Sequence, residues 1–409
     1  MGPGLDEYSP IVGRNEIDEI RALARAVEGK RMIHVNSTAV GGGVAEILHR
    51  LVPLLEDVGI HARWEVIKGG GDFFAVTKAF HNALHGKPEN IRPDMLDTFR
   101  EYSNRNAAAL EFDADLIVIH DPQPVALVEK RGHDGRRWLW RCHIDVSRPD
   151  PRVWEFLRPW IESYDGAIFS APGFSQALPI PQFLIPPSID PLATKNRDML
   201  PEEVSGIYDR FSIDRGRPVV LQISRFDRLK DPFGLISAYR IVRRRTDCQL
   251  VLAGGGATDD PAGVEVLQEL NAMRGDDPDL HILHLPPGSD LEINALVRGA
   301  TVVVQNSAKE GFGLTVSEAL WKGKPVISRP VGGISLQVRH GVTGLMAHSS
   351  EGLASHIRYL LSHPEAAARL GELGREHVRH NFLITRHLRH ALLLMIALDH
   401  PGDREILTV

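Results

Sequence analysis

Residues 301–327 read TVVVQNSAKEGFGLTVSEALWKGKPVI. The β-branched run predicts a buried strand ending at Gln305, and the residues from Leu314 onward predict a helix. Between them a short loop carries Glu310, with Gly311 and Gly313 allowing close backbone approach. The amide groups of Phe312, Gly313 and Leu314 then stand at a helix N-terminus, where they suit a phosphate. Glu310 precedes the helix and Glu318 lies inside it, so the two carboxylates can address different parts of one elongated ligand. By spacing alone they fit equally well a helix cap and a surface ion pair.

The same strand-to-helix rhythm extends outward in both directions. RMIHVN, ADLIVIH and GAIFSA lie upstream; PVVLQIS, QLVLAGGG and PVISRP surround the opening stretch. Short apolar runs alternating with helical patterns predict parallel sheets wrapped by crossover helices. After the first run, Val44, Ile47, Leu48, Leu51, Leu55 and Val58 recur at helical spacing, and Pro53 predicts a kink there. A length of 409 residues predicts two domains. The proline-dense PQFLIPPSIDP, residues 181–191, predicts an extended connector and not another element. The expected division is therefore 1–187, completed by the apolar terminal helix 386–409, and 188–385.

Composition narrows the partners. The net charge is −6 and the 47 basic residues are scattered, which excludes a nucleic-acid or anionic-lipid footprint. Cys142 and Cys248 are the only cysteines and build neither a disulfide framework nor a metal knuckle, consistent with a reducing cytoplasm. No apolar run approaches the ~20 residues that span a bilayer. The histidines of HNALH and HILH lack the pattern of a zinc site. His377, His380, His387 and His390 are expected on a solvated helical face, and DAD at 113–115 is expected to cap its strand.

Three further constellations carry chemistry. In QISRFDRLKDP, Arg225 and Lys230 follow a strand and suit a pyrophosphate, though alone they fit solvated cations as well. In STAVGGGVAEIL, Gly42 and Gly43 admit a sugar or phosphate close to the backbone, and Glu46 follows as a candidate acceptor contact. Asp121 in IHDPQP and His143 in RCHIDVS each follow a strand, where they could orient or donate to sugar hydroxyls.

EGFGLTVSE resembles the E-x7-E motif of the retaining GT-B glycosyltransferases that make sucrose, glycogen and trehalose. The resemblance implies two facing Rossmann-like domains with a cleft between them. It also implies that Glu310 faces the donor sugar, Glu318 holds the ribose hydroxyls, and the intervening amides, Gly311 to Leu314, meet sugar and distal phosphate. Arg225 and Lys230 resemble the donor-phosphate pair. HVNSTAVGGGVAEIL, IHDPQP and RCHIDVSRPDPRVWEFLRPWIE look like the glycosyltransferring trehalose synthases, in which His143 would contact the donor hexose and Asp121 a substrate hydroxyl. The implied reaction moves glucose from UDP-, ADP- or GDP-glucose to free glucose, giving α,α-trehalose reversibly, with no metal and no cofactor. A homodimer is compatible with the sequence. Fungal trehalose phosphorylases resemble the same segments; a nucleotide-sugar epimerase and a silent sugar-binding regulator are the rivals from other classes.

Overall fold

The computed structural model describes residues 2–255 and 261–400. Gly256, which ends QLVLAGGG, and residues 401–409 of the expected terminal segment lie outside the described residues. The chain forms two compact units: one runs to Ser188 and resumes at Ile384, and the other is Ile189–Leu383. Among the described residues no helix is long and apolar enough to cross a membrane.

Each unit is built on a six-stranded sheet in which every pairing is parallel. In the first unit the strands are β1 Arg31–Asn36, β2 His61–Val66, β3 Leu116–His120, β4 Arg137–Cys142, β5 Gly166–Phe169 and β6 Gln182–Leu184, in the order β2-β1-β3-β4-β5-β6. In the second they are β7 Val219–Ile223, β8 Gln249–Gly254, β9 Leu280–His284, β10 Val302–Gln305, β11 Val326–Ser328 and β12 Leu345–Met346, in the order β12-β11-β10-β7-β8-β9. Parallel strands covered on both faces must be apolar along their length, and β3, β7 and β8 are buried at every position. In each unit the chain starts at an inner strand, builds outward on one side, then crosses to build on the other. The reversal falls between β1 and β3 in the first unit and between β7 and β10 in the second. Crevices at such reversals, beyond the carboxyl ends of the strands, are where open α/β sheets hold ligands.

The proline-dense stretch corrects an expectation. Residues 182–184 are β6, the edge strand of the first sheet, pairing with β5 through Ala167–Gln182, Ile168–Phe183 and Phe169–Leu184. Proline lacks a ladder donor but is tolerated around an edge strand. Pro181 and Pro186 flank β6 without interrupting it.

The helix Gly43–Asp57 runs through Pro53 without a break and buries Ala45, Ile47, Leu48, Leu51, Leu54 and Leu55. The helix Ile384–Asp399 packs against it and against the helix Arg14–Ala26. That return is tied by polar bonds: Thr385 Oγ1 donates to Glu16 (2.8 Å), and Arg386 Nη2 donates to the carbonyls of Pro186 (2.8 Å) and Pro187 (2.9 Å). Among the terminal histidines, His377 and His387 depart from the expected solvated face. His387 is buried and hydrogen-bonded to Ser188 Oγ at 2.8 Å, and His377 is half-buried against the Leu336 carbonyl, so neither is solvated. The stripe of Leu388, Ala391, Leu392 and Met395 faces the core, and His387 shares it. In DAD, Asp115 accepts the Arg31 amide at 2.8 Å, capping the start of β1.

Candidate active site

In the second unit the reversal between β7 and β10 brings two sequence-distant charges together. Lys230 Nζ donates to Glu310 Oε2 at 2.5 Å, with both side chains largely shielded. The same oxygen faces Gln305 Nε2 and Ser307 Oγ, each at 3.3 Å. Lys230 leaves the end of β7 through a tight turn: Asp227 caps it through the Leu229 amide, and Gln222 Nε2 donates to the Lys230 carbonyl at 3.1 Å. The next residue, Asp231, adopts φ 44°, uncommon for a side chain bearing a Cβ. It is held there because its carboxylate caps the helix Pro232–Arg243 through the Gly234 amide (3.0 Å) and accepts from Arg329 (2.5 Å) and Asn306 (3.0 Å).

The EGFG loop is stitched from beneath. Gln337 Nε2 donates to the Phe312 carbonyl at 2.6 Å, and Gln337 Oε1 accepts from Ser317 Oγ at 2.6 Å. The Gly333 amide donates to the Gly311 carbonyl at 3.1 Å. A Cβ on Gly333 would stand 2.6 Å from that carbonyl oxygen and 2.8 Å from Phe312 Cα, so only glycine fits. Gly313 opens the helix Leu314–Trp321 at φ 81°, the left-handed region. Among the described residues no bond occupies the amides of Phe312, Gly313 or Leu314. They stand as donors at a positive helix end.

The other two predicted charged residues of this unit have partners of their own. Glu318 is buried on the helix Leu314–Trp321, and Lys195 Nζ approaches its Oε1 to 3.7 Å. Arg225 is mostly exposed and faces Asp227 at 3.8 Å.

In the first unit the reversal gathers Gly42, Gly43 and Glu46 after β1, Asp121 after β3 and His143 after β4. Gly41 and Gly42 have φ 77° and 83°, and Gly42 is the N-cap of the helix Gly43–Asp57, with Glu46 exposed on its first turn. Asp121 sits at φ 66° and is locked there. Its Oδ1 accepts the His143 amide at 2.7 Å, its carbonyl accepts Trp140 Nε1 at 3.0 Å, and its own amide donates to the Arg141 carbonyl at 2.8 Å. Burial raises its carboxyl to about 7, against the opposing pull of the His143 amide and the Arg141 charge.

Behind His143 lies a feature that motif reading missed. His143 Nε2 is 3.0 Å from His120 Nδ1 with the two rings nearly parallel, and His120 Nε2 is 2.9 Å from His34 Nδ1. Burial, with Arg141 nearby, lowers His34 to about 3 and holds His120 and His143 well below the ordinary imidazole value. Arg141 is itself pushed down to about 10 by burial and donates to the Ile185 carbonyl at 3.1 Å. The parallel register explains the cluster. His34 pairs with Val118 and His120 with Arg141, so with a period of two all four point to one face of the sheet, and His143 continues that face beyond β4. A histidine inside an otherwise apolar strand, as in RMIHVN and ADLIVIH, was the available signal. For Gly333 it was the glycine pair after PVISRP; for Lys195, Asp231 and Gln337 there was none.

Comparison with known proteins follows the same division. Residues 34–176 match the family model of the trehalose synthase N-terminal domain, and residues 208–377 match glycosyl transferases group 1. The chain is 42% identical over 404 residues to a trehalose synthase of Pyrococcus horikoshii, covering 96% of each chain. It is 26% identical over 432 residues to a trehalose phosphorylase of Pleurotus pulmonarius, covering 91% of this chain and 58% of that one. In fold it is similar to a sucrose-phosphate synthase from Thermosynechococcus elongatus, with a TM-score of 0.70, 20% identity and coverage of 90% of this chain and 99% of that one.

Proposed function

Since this chain belongs to the trehalose synthase family of group 1 glycosyltransferases, with their two-sheet α/β fold, we propose that it moves glucose from a nucleoside diphosphate glucose to C1 of free glucose. The product is α,α-trehalose, the reaction is reversible, and no metal takes part. The observation that carries this reading is the Lys230–Glu310 pair beside the amides of Phe312, Gly313 and Leu314.

In this reading the second unit holds the donor. Lys230, Arg225 and the three amides receive the diphosphate, Glu318 takes the ribose hydroxyls, and Glu310 meets the hexose. The first unit supplies His143 for a hexose hydroxyl, Asp121 for a substrate hydroxyl, and the Gly42–Gly43 turn with Glu46 for the acceptor. As the bond from hexose C1 to the leaving phosphate oxygen breaks, negative charge grows on the diphosphate. Fixed cations and a helix N-terminus stabilise that charge without reorganising, worth several kcal/mol in such sites (about 3–4 for one donor). The acceptor O1 forms the new bond to C1 on the face the phosphate leaves, and its proton passes to the departing phosphate oxygen. Configuration is thereby retained.

The test is a turnover assay read by NMR, with excess chelator, each of UDP-, ADP- and GDP-glucose, and glucose, glucose 6-phosphate or fructose as acceptor. Nucleoside diphosphate and α,α-trehalose arising only with free glucose is the expected result. Consumption of trehalose with phosphate alone would make the protein a phosphorylase, and conversion of the donor without acceptor an epimerase. Activity abolished by chelator would remove the metal-free part.

A further inference from the structure

Three imidazoles of the first unit, His34, His120 and His143, form an unbroken hydrogen-bonded chain, and motif reading assigns a role only to the last. We propose that His34 and His120 are positioning residues that set the tautomer of His143, so that its Nδ1 carries the proton and donates to the bound sugar. The inference rests on the role given to His143 above.

Burial keeps all three rings neutral near pH 7. A neutral imidazole donates from one nitrogen and accepts on the other, so a chain of three has only two polarities. In one, His34 Nδ1–H donates to His120 Nε2 and His120 Nδ1–H donates to His143 Nε2. This puts the proton of His143 on Nδ1 and leaves a bare lone pair on His34 Nε2. In the other every bond reverses, His143 Nδ1 becomes an acceptor, and His34 Nε2 carries an N–H.

The far end of the chain decides between them. His34 Nε2 is buried, and among the described residues no protein group is hydrogen-bonded to it. His34 borders a cavity of about 20 Å³ whose lining includes Arg141, His387 and the apolar side chains of Val44, Ile47 and Leu48. A buried N–H with no acceptor is rarer in folded proteins than an under-used lone pair. That asymmetry selects the first polarity. A histidine in water prefers the proton on Nε2, so the chain reverses the ordinary preference at His143. The arrangement parallels the way a second hydrogen bond fixes the working nitrogen of a catalytic or metal-bound histidine.

The experiment is long-range ¹H–¹⁵N correlation on protein labelled at histidine nitrogen, without substrate, at pH 7.5, with the His143 signals assigned by their loss in His143→Gln. The proton on Nδ1 of His143 is expected; the proton on Nε2 in the unaltered protein overturns the proposal without any variant. In His120→Phe the His143 proton should return to Nε2. There kcat should fall about ten- to a hundredfold, the scale of losing such a supporting bond, while KM for the nucleotide sugar stays within about twofold. His120→Asn, whose amide can donate from the Nδ1 position, should restore the tautomer and part of kcat. A His143 tautomer that ignores His120→Phe overturns the proposal. Because the spectra need no turnover, a correct tautomer in a protein that makes no trehalose would count against the functional reading and not against the chain.

Discussion

The two units place polar groups at equivalent points of similar sheets, yet the chemistry of the two points is opposite. At the β7–β10 reversal the groups are charged: Lys230 against Glu310, Arg329 against Asp231, with the amides of Phe312, Gly313 and Leu314 at a helix end. At the β1–β3 reversal they are three imidazoles held neutral, with a carboxyl raised to about 7. Fixed cations and amide dipoles suit a diphosphate, whereas neutral donors and acceptors suit sugar hydroxyls. A shared architecture thus carries two ligand chemistries, decided by the residues at the strand ends.

The largest expected effect concerns the stability of the first unit, where the fully buried imidazoles lie, as pH falls. His34, His120 and His387 are buried and have folded-state values below the ordinary 6.5. Below about pH 6.5 the unfolded chain therefore binds more protons than the folded one, and stability is lost as pH falls. Each fully buried imidazole costs up to about 1.4 kcal/mol per pH unit in that range. Asp121, raised to about 7, works the other way between about 4 and 7 and offsets one of the three. The first unit should lose several kcal/mol between pH 7 and 5, measured as the denaturant midpoint of the fluorescence of its five tryptophans, Trp64, Trp138, Trp140, Trp154 and Trp160. A midpoint unchanged over that range breaks the contrast.

Next in size is the charged site. Lys230→Ala and Glu310→Ala should each lower kcat by about two orders of magnitude or more, the scale of removing one donor to a developing charge. Each variant should otherwise fold as before, checked by its thermal midpoint. Activity within a few-fold of the unaltered protein would reduce the pair to a structural ion bridge. Smaller still is Glu318→Ala, which should raise the Kd of the nucleotide about tenfold with a lesser change in kcat, in line with losing a charged hydrogen bond. An unchanged Kd, read by calorimetry with the free nucleoside diphosphate, refutes its role at the ribose.

Much of the architecture was legible in the chain. The runs from RMIHVN to PVISRP became inner strands because a strand buried on both faces must be apolar throughout. β2, with HARWEV, and β6, among prolines, were less visible, since both are edges and carry half the burial. The E-x7-E stretch could be read as a strand, a glycine loop and a helix, and β10 and the helix Leu314–Trp321 lie there. The supports of that loop were not readable. Gly333 and Gln337 lie some twenty residues beyond it, and nothing local requires a glycine to pass under Phe312.

The sequence by itself determined the kind of fold, through apolar period and punctuation, and the residues able to bear charge, through short strand-end motifs. Those signals are local, reaching a few residues along the chain. Only the tertiary structure decided which of them meet. Lys230 and Glu310 are eighty positions apart and join because β7 and β10 are neighbours; His34, His120 and His143 align because the parallel register puts them on one face. Strand order and register come from the packing of whole sheets against their helices, a sum over many weak contacts that no single stretch contains.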